Sequence, residues 1–250
     1  MNELQGRVAM ITGAGRGFGH AIAERFAEAG ATLALNYRES ATGCEAIAEG
    51  VRGNGGQAIT VQADVTDAPA VEAMVERVVA ELGRIDILIN NAGIMFYEPF
   101  SASSEDHWRQ EMEVNVFGPM RLTHAVVPGM IAQGFGRIVN LSSQLALSGW
   151  ERAPVYAGTK GFILTWTKSL ARELGQHGIT VNAIGPGSII TDMNAGVYPD
   201  EAARQRRMSE LPLRRFGSPR DVAECALFLA SDAGSFLTGQ MLGPNGGNVM

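Results

Sequence analysis

Arg7-Val-Ala-Met-Ile-Thr12 is a short apolar run, and Gly13-Ala-Gly-Arg-Gly-Phe-Gly19 follows it without a break. The apolar run reads as a fully buried strand. A helical pattern then extends from about Gly17 to Ala29. Strand, glycine-rich turn and helix are the opening parts of a dinucleotide-binding unit. The glycines permit a tight turn and let the backbone approach a pyrophosphate, which sits at the helix N-terminus. A glycine-rich loop alone is a weak signal; its place between the first strand and the first helix gives it weight.

Outward from this unit the alternation continues. Residues 31–36, 57–62, 85–89, 136–141 and 178–184 read as further strands. Helical segments lie between and after them, at about 69–82, 104–133, from Pro154 onward, and 221–230. Strands alternating with helices predict an α/β fold: a Rossmann-type, doubly wound parallel sheet of about seven strands, with helices on both faces and right-handed crossovers. The 250 residues suit a single dinucleotide-binding oxidoreductase domain over 1–250, and a polar stretch at about 188–216 reads as its substrate lid.

Composition excludes several classes. No apolar run approaches the ~18 residues of a membrane span. The N-terminal residues show neither a basic start nor an apolar core, so a cytoplasmic protein is expected. Cys44 and Cys225 form no metal or redox spacing, and no metal site is expected. A net charge of −6 argues against nucleic acid as a partner.

Tyr156-Ala-Gly-Thr-Lys160 carries the chemistry. Pro154 fits the first turn of a helix, and Tyr156 and Lys160, four residues apart, then share one face. A phenol normally ionises near pH ~10. A nearby ammonium and the positive helix end both favour the phenolate, so the expectation is a tyrosine with a lowered pKa, able to exchange a proton at neutrality. At the end of the second strand, where a carboxylate would bind the ribose of NAD, stand Tyr37 and Arg38. Arg38 and the loop's Arg16 offer charged hydrogen bonds to a 2′-phosphate, which predicts a preference for NADPH, with NADH left open by the nearby Glu39.

The glycine spacing, Thr12-Gly13-x-x-x-Gly17-x-Gly19, departs from Gly-x-Gly-x-x-Gly and resembles the short-chain dehydrogenase/reductase family. Asn90-Asn-Ala-Gly93, Ser143 thirteen residues before Tyr156, the Tyr156–Lys160 pair and Pro186-Gly187 follow in that family's order over nearly the whole chain. Ser169-Leu-Ala-Arg-Glu173 and the terminal Asn-Gly-Gly are similar to the branch of 3-oxoacyl-(acyl-carrier-protein) reductases. Pro244 and Asn245 depart from the family's usual Val-Asp-Gly-Gly.

The resemblance implies a catalytic set of Asn115, Ser143, Tyr156 and Lys160, with Ser142 as the alternative serine. Asn115 would interrupt the long helix and hold a water linked to Lys160, and Lys160 would bond the nicotinamide ribose. Cofactor contacts are implied for Gly13, Arg16, Gly17, Phe18 and Gly19 in the loop, Tyr37 and Arg38 at the second strand, and Asp64 and Val65 at the adenine. They are also implied for Asn91, Ala92 and Gly93, and for Pro186, Gly187, Ile189 and Thr191 near the nicotinamide. Asp64 reads equally well as a turn or capping residue.

The candidate substrate pocket includes Met95, Leu145, Trp150 and Met193, with Phe96, Tyr97, Val155 and Tyr198 nearby. Trp150-Glu-Arg152 is a bulky charged insert without an evident role, and Arg204-Gln-Arg-Arg207 reads as a solvated face or as a site for an acidic partner such as acyl carrier protein. The function implied is NADPH-dependent reduction of a ketone or 3-oxoacyl-type carbonyl, acyl thioesters included, by a homotetramer. The alternatives are an NAD-dependent alcohol or sugar dehydrogenase on the same scaffold, a non-catalytic nucleotide-binding scaffold or sensor, and, least favoured, a sugar-nucleotide epimerase.

Overall fold

Seven strands pair in parallel: β1 (Val8–Ile11), β2 (Thr32–Tyr37), β3 (Ala58–Gln62), β4 (Ile87–Asn90), β5 (Gly136–Leu141), β6 (Ile179–Ile184) and β7 (Met241–Leu242). Their order in the sheet of this computed structural model is β3-β2-β1-β4-β5-β6-β7. The structure describes residues 2–250, apart from the side chains of 194 and 195. The helices are α1 (Gly17–Glu28), α2 (Thr42–Gly53), α3 (Ala68–Leu82), α4 (Glu105–Met112), α5 (Gly118–Gln133), α6 (Leu145–Ser148), α7 (Pro154–Leu174), α8 (Glu201–Glu210) and α9 (Pro219–Ala230).

Side chains alternate across each strand, so one sheet feeds two cores. Ala9 and Ile11 of β1 pack with Ile22 and Phe26 of α1 and with Val222 of α9. Met10, between them, packs on the opposite face with Val71 and Val78 of α3, Leu122 of α5 and Leu174 of α7. A sheet covered on both faces needs apolar residues at every position, which is why β1 reads as a continuous apolar run. Burying a side chain such as Phe26 contributes on the order of 2 kcal/mol.

The sheet reverses direction between β1 and β4. From β1 the chain moves outward to β2 and β3, then returns to place β4 on the other side of β1. The crevice at the carboxyl ends of those two strands is where ligands bind in open α/β sheets.

Among the element boundaries that differ from expectation, two have a clear physical reason. Ile85 and Asp86 precede β4 rather than opening it, because the Asp86 carboxylate accepts the Val8 N–H at 2.9 Å and pairs with Arg7 and Arg84. Asn90 closes β4 rather than entering the turn: its amide donates to Asn140 Oδ1 at 2.8 Å and Thr123 Oγ1 at 3.2 Å. The long helical region is α4 and α5 joined by a π-turn, Glu113–Phe117, with Asn115 at its middle. Among the described residues no helix is long and apolar enough to cross a membrane.

Candidate active site

The first turn of α1 is built to receive an anion. Helices α3, α4, α8 and α9 are each capped by a side chain, Asp67, Ser104, Asp200 and Ser218. Like α2, α5, α6 and α7, α1 has no side-chain cap; it also has no acidic residue in its first turn and follows directly on the glycine-rich loop, so its leading N–H groups can serve another acceptor. Gly17 enters the helix at φ +58° with open space where a Cβ would stand. At Gly19 a Cβ would lie 2.4 Å from Gly13 O, so only glycine permits this approach of loop and helix. Uncapped helix, open backbone and absent carboxylate fit the pyrophosphate of a dinucleotide.

The turn after β4 is stitched to this loop. Thr12 Oγ1 accepts the N–H groups of Asn91 and Ala92 at 3.0 and 3.1 Å. The Asn91 amide donates to Thr12 O at 2.8 Å and Gly13 O at 3.1 Å, so its side chain shapes the crevice. Beyond it the chain runs extended along α4 and the π-turn. Asn115, 1% exposed, accepts the Ile94 N–H and donates to Ile94 O, both at 2.9 Å. It also donates to Thr159 Oγ1 at 3.2 Å, which ties the π-turn to α7.

Ser143, Tyr156 and Lys160 converge from two elements. Ser143 follows β5, and its hydroxyl accepts the Leu145 N–H at 3.1 Å, fixing it at the start of α6. Ser142 is turned away: its hydroxyl donates to Lys160 O at 2.9 Å. Pro154 opens α7 and puts Tyr156 in its first turn. One turn on, Lys160, 5% exposed, donates Nζ to Leu141 O at 2.8 Å. Nζ stands 5.5 Å from the centre of the Tyr156 ring.

The electrostatics correct the expectation for the tyrosine. Burial pushes the half-buried Tyr156 phenol up to about 12, the Ser143 hydroxyl opposes this, and Glu111 adds to the rise. The predicted lowering by Lys160 and the helix end does not prevail, because withdrawal from water disfavours the phenolate more strongly. Burial also brings the Lys160 ammonium down to about 8, against the opposing pull of Glu111. Glu111 is 2% exposed and was missed in the sequence, where it reads as one more charge on a polar helix.

At the adenosine end, Tyr37 closes β2 and no carboxylate follows it directly. Arg38 pairs with Glu39 and lies 4.0 Å from Asp64. Arg16 instead faces Asp192, at 3.9 Å, so the two arginines share no partner. Asp64 takes its turn role, accepting the Thr66 N–H at 2.9 Å and the Thr66 hydroxyl at 2.8 Å, while Val65 is buried beside it.

A cavity of about 480 Å³ opens against these groups. Ser143, Tyr156, Phe18, Pro186, Gly187, Ile189 and Thr191 line it, as do the pocket residues Met95, Leu145, Trp150 and Met193. Its outer wall is a short 3-10 segment, Asp192–Val197, and α8. Arg207 is not the solvated residue expected: its Nε donates to Ser188 Oγ at 2.8 Å and holds α8 against the Pro186–Ser188 loop. Trp150 and Arg152 acquire a role, since the Trp150 ring packs on Tyr97 at 5.2 Å and the Arg152 guanidinium lies 4.8 Å above the same ring. Sequence reasoning missed Gln144 and Asn248, which line the cavity and bond to each other at 3.0 Å. They lie 104 residues apart, and no local pattern joins them.

Residues 13–248 match a family model described as enoyl-(acyl carrier protein) reductase. A 3-oxoacyl-(acyl-carrier-protein) reductase of Staphylococcus aureus is 38% identical over 242 residues, 97% of this chain and 98% of that one. One of Vibrio harveyi is 38% identical over 248 residues, 99% of each. A crystal structure of a gluconate 5-dehydrogenase of Burkholderia cenocepacia, in complex with NADP and tartrate, superposes with a TM-score of 0.93 at 36% identity, covering 98% of this chain and 96% of that one. The chain belongs to the short-chain dehydrogenase/reductase family and is an NAD(P)-dependent oxidoreductase acting on CH–OH and C=O groups.

Proposed function

We propose that this chain is an NADPH-dependent reductase of ketones or 3-oxoacyl-type carbonyls. The observation that carries the reading is the convergence of Ser143 and Tyr156 on one cavity wall, with Lys160 buried behind them. When bound along the uncapped end of α1, the dinucleotide supplies a hydride. The chain's own residues handle the oxygen. Tyr156 is protonated at neutrality and holds the proton that the reduced oxygen needs. Ser143 offers that oxygen a hydrogen bond that strengthens as negative charge develops. Lys160, charged below about pH 8, steadies the tyrosine as its proton leaves. Asn115 fixes the backbone at Ile94 beside the lysine. The homotetramer expected from the family belongs to the same proposal.

NADPH is preferred in this reading because Tyr37 stands where an NAD-binding carboxylate would be and Arg38 follows it. A second reading, oxidation of a polyhydroxy acid or sugar, is favoured by the polar residues in the cavity lining, among them Gln144, Ser148, Arg206 and Asn248. A substrate screen with both cofactors separates the two. The first reading predicts faster turnover with NADPH and 3-oxoacyl thioesters; turnover confined to sugar acids with NAD overturns it. Tyr156→Phe is expected to remove at least about 10³-fold of the turnover while cofactor affinity stays within a few-fold. Full activity in that variant rules out the assigned acid.

A further inference from the structure

A buried carboxylate stands beside the proposed catalytic pair without a part in the reaction described so far. Glu111 lies on α4 one turn before Asn115, so the two side chains share a helix face. Both hold the same extended backbone. Asn115 takes the N–H and C=O of Ile94, and Glu111 Oε1 accepts the Phe96 N–H at 2.8 Å. The residues between and after these contacts, Met95 and Tyr97, line the cavity. Gly93 leads into this segment, and a Cβ there would stand 3.2 Å from Asn115 Oδ1 and 3.6 Å from Lys160 Nζ. The lysine, the asparagine and the braced segment therefore form one cluster, and Glu111 holds the far end of that segment through Phe96.

We propose that Glu111 is a positioning residue of this active site: its carboxylate is the counter-charge of the Lys160 ammonium and, through Phe96, the brace of the Met95–Tyr97 cavity wall. An ammonium 5% exposed, whose hydrogen bond goes to a neutral carbonyl, needs an opposite charge nearby to stay protonated. Glu111 is the carboxylate that acts on Lys160 and on Tyr156, raising the proton affinity of both; burial lifts its own pKa, and the Phe96 N–H and the Lys160 charge oppose that rise. The other charged groups around it are accounted for. His107, one turn earlier, is paired with Glu98 at 2.9 Å and stacked on Phe96, and Glu113 is turned to Arg121 at 3.0 Å.

The inference rests on the reading of Lys160 and Tyr156 as the active pair, and it can be tested apart from that reading. The chain contains two lysines, Lys160 and Lys168, and Lys168 is exposed. Carbon-13 labelling of lysine Cε therefore gives two NMR signals whose pH titrations need neither substrate nor cofactor. In the wild type the Lys160 signal should titrate near pH 8. Glu111→Gln keeps an acceptor for the Phe96 N–H and removes the charge. Its Lys160 midpoint should fall by about half a pH unit or more. Glu111→Asp keeps the charge and shortens the brace; its midpoint should stay with the wild type while the KM for a bulky carbonyl rises. An unmoved midpoint in Glu111→Gln overturns the counter-charge, and so does an equal displacement in both variants. If the midpoint moves as expected but the wild type reduces no carbonyl, the counter-charge stands and the reductase reading fails.

Discussion

Lys160 Nζ stands 5.5 Å from the centre of the Tyr156 ring and gives its hydrogen bond to Leu141 O at 2.8 Å. The two groups thus titrate in sequence. The lysine loses its proton near pH 8, while the tyrosine keeps its own up to about 12. In this reading reduction needs both the proton on Tyr156 and the charge on Lys160. The expected kcat/KM for reduction is level below about pH 8 and falls above it, approaching tenfold per unit. Oxidation of the product alcohol, which needs the tyrosine to accept a proton, should rise over the same interval. A pH profile in both directions checks this; a reductive limb unchanged to pH 10 would remove Lys160 from the account.

Cofactor preference turns on how Arg38 is held. In the structure it is engaged by Glu39 and lies 4.0 Å from Asp64, so a 2′-phosphate must compete for it. Arg38→Ala should weaken NADPH about tenfold, the worth of one charged hydrogen bond, and leave NADH nearly unchanged. Glu39→Gln should tighten NADPH a few-fold by freeing the guanidinium. Binding titrations with both cofactors decide it, and equal losses for NADPH and NADH in Arg38→Ala would mean that the arginine only shapes the loop.

Tyr97 is held by Trp150 on one contact and Arg152 on another, and Tyr97 and Trp150 both line the cavity. An aromatic pair of this kind is worth about 0.5–1.5 kcal/mol beyond its buried area. Trp150→Ala should therefore raise KM for a bulky carbonyl roughly three- to tenfold, with kcat within about a factor of two, because Tyr156 and Ser143 are untouched. Steady-state kinetics supply the check: a large fall in kcat with KM unchanged would show that the ring acts on the chemistry and not on fit.

The first six strands were legible because burial on both faces forces continuous apolar runs, whereas the two-residue β7 carries no such run and the order of the strands is set by packing between distant segments. The Tyr156–Lys160 pair was legible as spacing, but not as electrostatics. Proximity of a charge can be read from helical periodicity; the desolvation that outweighs it cannot. Glu111 was hidden for the opposite reason. Its helix is polar overall, and the tertiary packing of α4, which brings Phe96 onto Glu111, buries one carboxylate while others on the helix stay exposed. Trp150 and Arg152 were conspicuous but uninterpretable, since their partner Tyr97 comes from another loop.

Asp86 offers a test of the scaffold at the opposite end of the sheet from the site. Its side chain is fully buried at the entry to β4, where it accepts the Val8 N–H at 2.9 Å, lies 3.6 Å from Arg7 and pairs with Arg84. The carboxylate thus joins the starts of the two central strands. Arg7 is further committed, with its guanidinium 3.8 Å above the Phe135 ring. Asp86→Ala leaves a buried N–H without an acceptor and a cation without its partner, which should cost about 3 kcal/mol or more. Asp86→Asn keeps an acceptor for Val8 and should lose less, so the difference isolates the charge. Urea unfolding with an unchanged m-value gives both numbers. The folded fraction of each variant should retain wild-type kcat/KM, because the crevice at the carboxyl ends of β1 and β4 is untouched. A variant that unfolds like the wild type but loses turnover would refute this division between a stabilising end and a reactive end of the sheet.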